Sequence, residues 1–136
     1  MLNFSFTITT KGFNDIIDIT SRVQGYVKES RVKERVVLVF VLGSTVGVTT
    51  IEYEKGIIED FKETFEKIIP QNQEYQHNKT LGDGNAFSHL RAALLSPSLT
   101  VPIEDNQLVL GAWQQVVLVD FDNRPRERKI IVKIIK

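Results

Sequence analysis

Leu2, Phe4, Phe6 and Ile8 alternate with Asn3, Ser5, Thr7 and Thr9. A period of two predicts a strand with one buried face. Lys11-Gly12 ends it, and Ile16 to Ile19 predicts a second, shorter strand. Thr20 or Ser21 is placed to cap a helix to about Glu29, with Val23, Tyr26 and Val27 on one face. Gly25 weakens that helix by roughly 1 kcal/mol relative to alanine. Val36 to Val41 is an unbroken apolar run, which predicts a strand covered on both faces. Gly43-Ser44-Thr45 interrupts it, and Gly47 to Tyr53 resumes as a strand. From Gly56 to Ile69 the apolar positions Ile57, Ile58, Phe61, Phe65 and Ile68 recur at helical spacing, and Pro70 stops the helix. Residues 71–84 predict a long polar loop, and Asn85 is set to cap a short helix ending near Leu95, before Pro97. Leu99–Ile103 and Gln107–Leu110 read as strands turning at Glu104-Asp105-Asn106. Gln115–Phe121 and Glu127–Ile135 read as a final hairpin about Asp122-Asn123-Arg124-Pro125. Hairpins mixed with a few helices predict an α+β fold in one domain spanning residues 1–136.

Charge changes this picture little. Seventeen basic residues balance seventeen acidic ones. Nucleic-acid binding draws on net positive charge, so it is not expected. The basic end, Arg124, Arg126, Arg128, Lys129, Lys133 and Lys136, reads as a solvated strand face because it partly alternates with apolar positions. The absence of cysteine removes disulfides, thiolate metal sites and cysteine nucleophiles. No apolar run approaches the roughly 20 residues of a membrane span, and the first ten residues alternate instead of forming a signal segment. A cytoplasmic protein without membrane contact is expected.

Candidate chemistry concentrates between His77 and Arg91, a stretch that holds both histidines of the chain. Gly82-Asp83-Gly84 leads into the helix start at Asn85, where free backbone N–H groups and the helix dipole favour a phosphate. Gly82 and Gly84 are thus candidate substrate contacts, although a plain tight turn explains them equally. His77 and His89 suit proton transfer. With Asp83 as a third ligand they suit a divalent metal, Mg²⁺ or Zn²⁺, or a hydrolase using metal-bound water. A second cluster joins Ser44 and Thr45, able to hold substrate oxygens, with Glu52 and Glu54 on one strand face. Trp113-Gln114-Gln115 offers a stacking surface or a packing contact.

The run that begins at His77-Asn78 and continues as LGDGNAFSHLRAALLSPSLTVP resembles the most recognisable block of the YjbQ family. The segments LVLGAWQQVVLVDFDNRPRERKIIV, FVLGSTVGVTTIEYEKG and DITSRV resemble three further blocks, in order and spacing. The resemblance implies two orthogonally packed, mostly antiparallel sheets with attached helices, assembled as a homotrimer. It also implies a thiamine-phosphate synthase-like activity that condenses hydroxymethylpyrimidine diphosphate with thiazole phosphate. His77, Asp83, Asn85, His89 and Arg91 match the family's polar block and become its catalytic candidates. In that scheme the diphosphate sits over the Gly82–Asn85 turn, neutralised by Arg91 and Mg²⁺. A non-enzymatic protein that binds a phosphorylated metabolite or a divalent metal is the alternative. Many family members carry histidine-threonine-threonine where this chain has Gly43-Ser44-Thr45. Assembly would place Ser44, Thr45 or Glu52 of one chain opposite His77 and His89 of another.

Overall fold

The computed structural model of the chain describes residues 2–135. Its strands are β1 (Leu2–Thr10), β2 (Asp15–Asp18), β3 (Arg35–Val41), β4 (Val46–Glu52), β5 (Ser98–Glu104), β6 (Gln107–Leu108), β7 (Gln114–Asp120) and β8 (Arg126–Ile135). Its helices are α1 (Thr20–Ser30), α2 (Lys55–Ile68), α3 (Gln76–Thr80) and α4 (Ala86–Leu95). Lys136 of the basic end lies outside the described residues. The strands form a five-stranded sheet in the order β1-β8-β3-β5-β6 and a three-stranded sheet in the order β2-β7-β4. Every pairing is antiparallel. No helix among the described residues is long and apolar enough to cross a membrane.

The expected alternation holds in β1 and β8, where Phe6, Ile130, Val132 and Ile134 point inward. These side chains meet Val46, Val48, Val116 and Leu118 of the smaller sheet, and Val23 and Val27 of α1, in one core. The other face of the smaller sheet, with Val117, Val119 and Phe121, packs against Phe65 of α2 and Ala92 of α4. The strand covered on both faces is therefore β7, not β3. In β3, Val37, Val39 and Val41 are buried while Val36 and Phe40 are exposed.

The expected final hairpin does not form. β7 pairs with β2 and β4, whereas β8 pairs with β1 and β3. The 121–125 connection carries the chain from one sheet to the other. Turn residues announce a reversal but do not choose the partner strand, and β7 needs a neighbour on each edge to satisfy its buried backbone. By contrast β5 and β6 do form a hairpin, through Asp105 and Asn106 with φ of 49° and 62°.

Helix starts also differ from expectation. At α1 the Thr20 backbone N–H and hydroxyl both donate to Asp18, so Asp18 supplies the capping oxygen. Glu54 caps α2 by accepting from the Gly56 and Ile57 backbone N–H groups at 2.8 and 2.9 Å. Those bonds hold its carboxyl below the ordinary value and remove it from any acidic pair with Glu52. The long polar loop contains the short helix α3.

The junction between the sheets is ionic. Asp120, at the end of β7, accepts from Arg128 of β8 at 2.7 and 3.0 Å and from the Thr10 hydroxyl of β1 at 2.5 Å. Arg128 also donates to the Thr45 hydroxyl at 2.6 Å, and Asp120, Thr45 and Arg128 are all buried. Arg128 is thus an interior cation and not part of a solvated basic face. Removing one partner leaves a buried charge uncompensated, which costs about 3–5 kcal/mol. Arg128→Ala is expected to lose that much in urea unfolding, whereas Arg124→Ala, on an exposed side chain, is expected to change stability by less than about 0.5 kcal/mol.

Candidate functional site

Beyond Asp120 the chain turns at Asp122, also fully buried. Its carboxylate accepts from the Thr45 hydroxyl at 2.9 Å, Arg126 Nε at 2.8 Å, the Asn123 backbone N–H at 2.8 Å and Asn85 Nδ2 at 3.4 Å. Burial pushes the Asp122 carboxyl up, but the Asn123 N–H, Thr45, Arg126 and Asn85 together hold it below the ordinary carboxylate value. Asp122 is therefore an anion that positions its neighbours.

Asn85 is the most consequential of these. It precedes α4 as expected, yet its side chain makes no capping hydrogen bond. The amide is drawn instead to Asp122. With Nδ2 held there, Oδ1 is buried without a partner among the described residues. The vacated capping role passes to Asn78, whose Oδ1 accepts from the Ala86 backbone N–H at 3.1 Å and ties α3 to α4.

His89 lies one helical turn after Asn85, so the two share a face of α4. Its ring meets that of His77 edge-on, with centroids 4.7 Å apart. His77 Nε2 is the second buried polar atom without a partner among the described residues. Desolvation lowers the His89 pKa, as does the neighbouring His77, while Asp122, Asp83 and the Ser44 backbone raise it; the net direction is downward.

Asn85 also lines a cavity of about 170 Å³ with Asp83, Asn123, Arg124 and Arg126. Asn123 Nδ2 donates to the Asp83 carbonyl at 2.9 Å and joins the glycine turn to the β7–β8 connection. Arg126 uses Nε on Asp122, and its terminal nitrogens and the Arg124 side chain make no hydrogen bond among the described residues. A separate groove of about 310 Å³ is lined by His89 with Gly43, Ser44, Val46, Ala92, Ala93 and Pro97.

The structure sets His77 against His89 and places Asp83 and Asn85 along one cavity that neither histidine lines, and Ser44 approaches His89 through its backbone. Ser44 reaches His89 and Thr45 reaches Asp122 within one chain, so neither contact requires a second subunit. Three expectations are corrected. Arg91 is 1% exposed and faces away from the site: it donates to the Ile69 carbonyl, Glu66 and Asn14. It locks α4 to the end of α2 and is not available to neutralise a diphosphate. Glu52 stands opposite Gln114 at the far end of β4, roughly 20 Å from Thr45 at about 3.3 Å per residue. His77, Asp83 and His89 do not form the expected three-ligand set; no group of three or more His, Cys, Asp or Glu placed to hold a metal ion occurs among the described residues. Gly82 and Gly84, with φ of 72° and 66°, serve the turn that carries Asp83. Trp113 is 75% exposed, neither core nor in the site.

Asp122, Asn123, Arg124 and Arg126 were not anticipated as site residues. A sequence signal for them exists: Asp120, Asp122, Arg124, Arg126 and Arg128 recur every second residue, an alternation of charge that a plain turn does not need.

A family model described as UPF0047 protein YjbQ-like matches residues 4–136. A UPF0047 protein of Archaeoglobus fulgidus is 41% identical over 93% of this chain and 96% of its own length. One from Methanothermobacter thermautotrophicus is 37% identical over 88% of this chain and 82% of its own. Among solved structures, an uncharacterized conserved protein of the YjbQ/UPF0047 family from Clostridium acetobutylicum superposes with a TM-score of 0.89 at 33% identity, covering 97% of this chain and 99% of its own. A YbjQ-like protein of unknown function from Sulfolobus solfataricus gives 0.88 at 30% identity, over 98% and 96%. The two solved structures share the α+β fold with two antiparallel sheets, and they are described as uncharacterized and of unknown function. They correct the expectation of thiamine-phosphate synthesis, and the position of Arg91 removes the residue that scheme relied on. With the fold, the order of the motifs and the match over nearly its whole length, the chain belongs to the YjbQ/UPF0047 family.

Proposed function

We propose that the chain binds a small phosphorylated molecule in the cavity between the Gly82–Gly84 turn and the β7–β8 connection. The observation that carries this reading is the buried, unpartnered Asn85 Oδ1 beside two arginines with free guanidinium nitrogens. A buried acceptor without a partner costs about 1–3 kcal/mol, so a donor supplied by a ligand would be rewarded there. Guanidinium groups pair with phosphate oxygens, and a ligand hydroxyl would satisfy Asn85 Oδ1.

Assembly as a homotrimer is proposed on a different observation. The outer face of the five-stranded sheet exposes Val36, Phe40 and Ile135, with Ile131 directly opposite Phe40. An apolar sheet face of this kind is usually covered in symmetric association, and the family resemblance points to three copies.

Calorimetric titration with inorganic phosphate is expected to show saturable binding, weakened about tenfold or more in Arg124→Ala and in Asn85→Ala. Wild-type protein that shows no saturable binding contradicts the reading.

Acidification is expected to weaken the fold in a specific window. His89 has a lowered pKa in the folded chain, so the unfolded chain binds more protons as pH drops through the ordinary histidine range. Stability therefore rises with pH through that window and falls between about pH 7 and 5. His89→Gln is expected to flatten this segment of the urea-midpoint profile; an unchanged slope contradicts it.

Light scattering is expected to give a mass of three chains for the wild type and a smaller species for Phe40→Lys. A wild-type monomer contradicts the assembly.

A further inference from the structure

The groove past His89 is a separate concavity from the polar cavity, and its chemistry is different. Val46, Ala92, Ala93 and Pro97 give it a mostly apolar wall, Ser44 and His89 are its polar lining residues, and Gly43 contributes backbone without a side chain. Its volume of about 310 Å³ falls at the lower end of the range for small-molecule pockets. Gly43 has φ of 132°, and a Cβ there would come within 2.5 Å of Arg128 Nη1. A side chain at position 43 would therefore displace the buried arginine that joins the sheets.

His89 lines the groove and brings it onto the face of α4 that also borders the polar cavity. Asn85, one turn earlier on the same helix, lines the polar cavity. A molecule with its anionic end between Arg124 and Arg126 and its body passing His89 would enter the groove. Mostly apolar walls there reward an apolar body and offer the several hydroxyls of a sugar few partners.

We infer that the groove makes the site selective for phosphate monoesters of small apolar alcohols or phenols, in preference to inorganic phosphate or polyhydroxylated phosphate esters. This rests on the phosphate-binding reading above and names the substrate class of that site. Ala93 sets the width of the groove: it is exposed on α4 and contributes only a methyl group. Leucine at this position keeps a strong helix former in the helix while filling the space.

The test compares inorganic phosphate, glycerol 3-phosphate and phenyl phosphate by calorimetry on the wild type and on Ala93→Leu, with circular dichroism and thermal unfolding to establish that the variant is folded. Phenyl phosphate is expected to bind the wild type about tenfold more tightly than the other two, as burial of an apolar ring predicts. Ala93→Leu is expected to abolish that preference and leave inorganic phosphate affinity within about twofold. Equal affinity for all three probes in the wild type, or an undiminished preference in folded Ala93→Leu, overturns the inference and leaves the phosphate site standing. If none of the three binds the wild type, the phosphate site and the inference fall together. An Ala93→Leu chain that does not fold is replaced by Ala93→Val, for which the same two outcomes apply.

Discussion

Two carboxylates, Asp120 and Asp122, enter the interior at the end of a strand made of valine and leucine, and much of the molecule is arranged around their charge. Taking a carboxylate out of water costs several kcal/mol even after relaxation. Asp120 is compensated by Arg128 and Thr10, and Asp122 by Arg126, Thr45, Asn85 and a backbone N–H. These partners come from β1, β8 and the residues just before β4 and α4, so the network that keeps the acids ionised also joins the two sheets and fixes the helix. The apolar cores give bulk stability, but their contacts are not directional. The ionic junction specifies which strand ends meet.

The site follows from the same constraint. Asp122 takes the Asn85 amide nitrogen, and that choice leaves Oδ1 facing away without a partner. An asparagine at this position ordinarily spends its oxygen on capping the helix. Here the cap is given up and Asn78 stands in, which brings α3 and with it His77 against α4. Gly82-Asp83-Gly84 closes the turn through Asn123. Histidine pair, orphan acceptor and arginine-lined cavity are thus consequences of how one buried carboxylate is satisfied.

Elements whose burial is one-sided were legible in the sequence. β1 and α2 each print their period because one face meets the core and the other meets water. His77, Asp83, Asn85 and His89 were legible as neighbours because one turn joins them. Pairing was not legible: β7 and β8 are joined by a turn-rich segment that fits a hairpin as well as a crossing between sheets, and the choice depends on strands far away in the chain. Nor was the fate of charged side chains. Arg91 and Arg128 look like surface or ligand-binding groups by residue type, and both are interior because acceptors from distant segments, Ile69 and Glu66 for one and Asp120 for the other, converge on them. Glu54 likewise reads as half of an acidic pair until the helix it caps is seen.

The dependence of the site on Asp122 can be measured at His89. Asp122 is one of the charges that raise the His89 pKa against desolvation and the neighbouring His77. Asp122→Asn keeps the shape of the side chain and removes that charge. Titration of the His89 ring by NMR is expected to give a pKa below the ordinary histidine value in the wild type and a lower one still in folded Asp122→Asn. A His89 pKa that is the same in both proteins, or that rises in the variant, would contradict the claim that the buried carboxylate at the sheet junction governs the site.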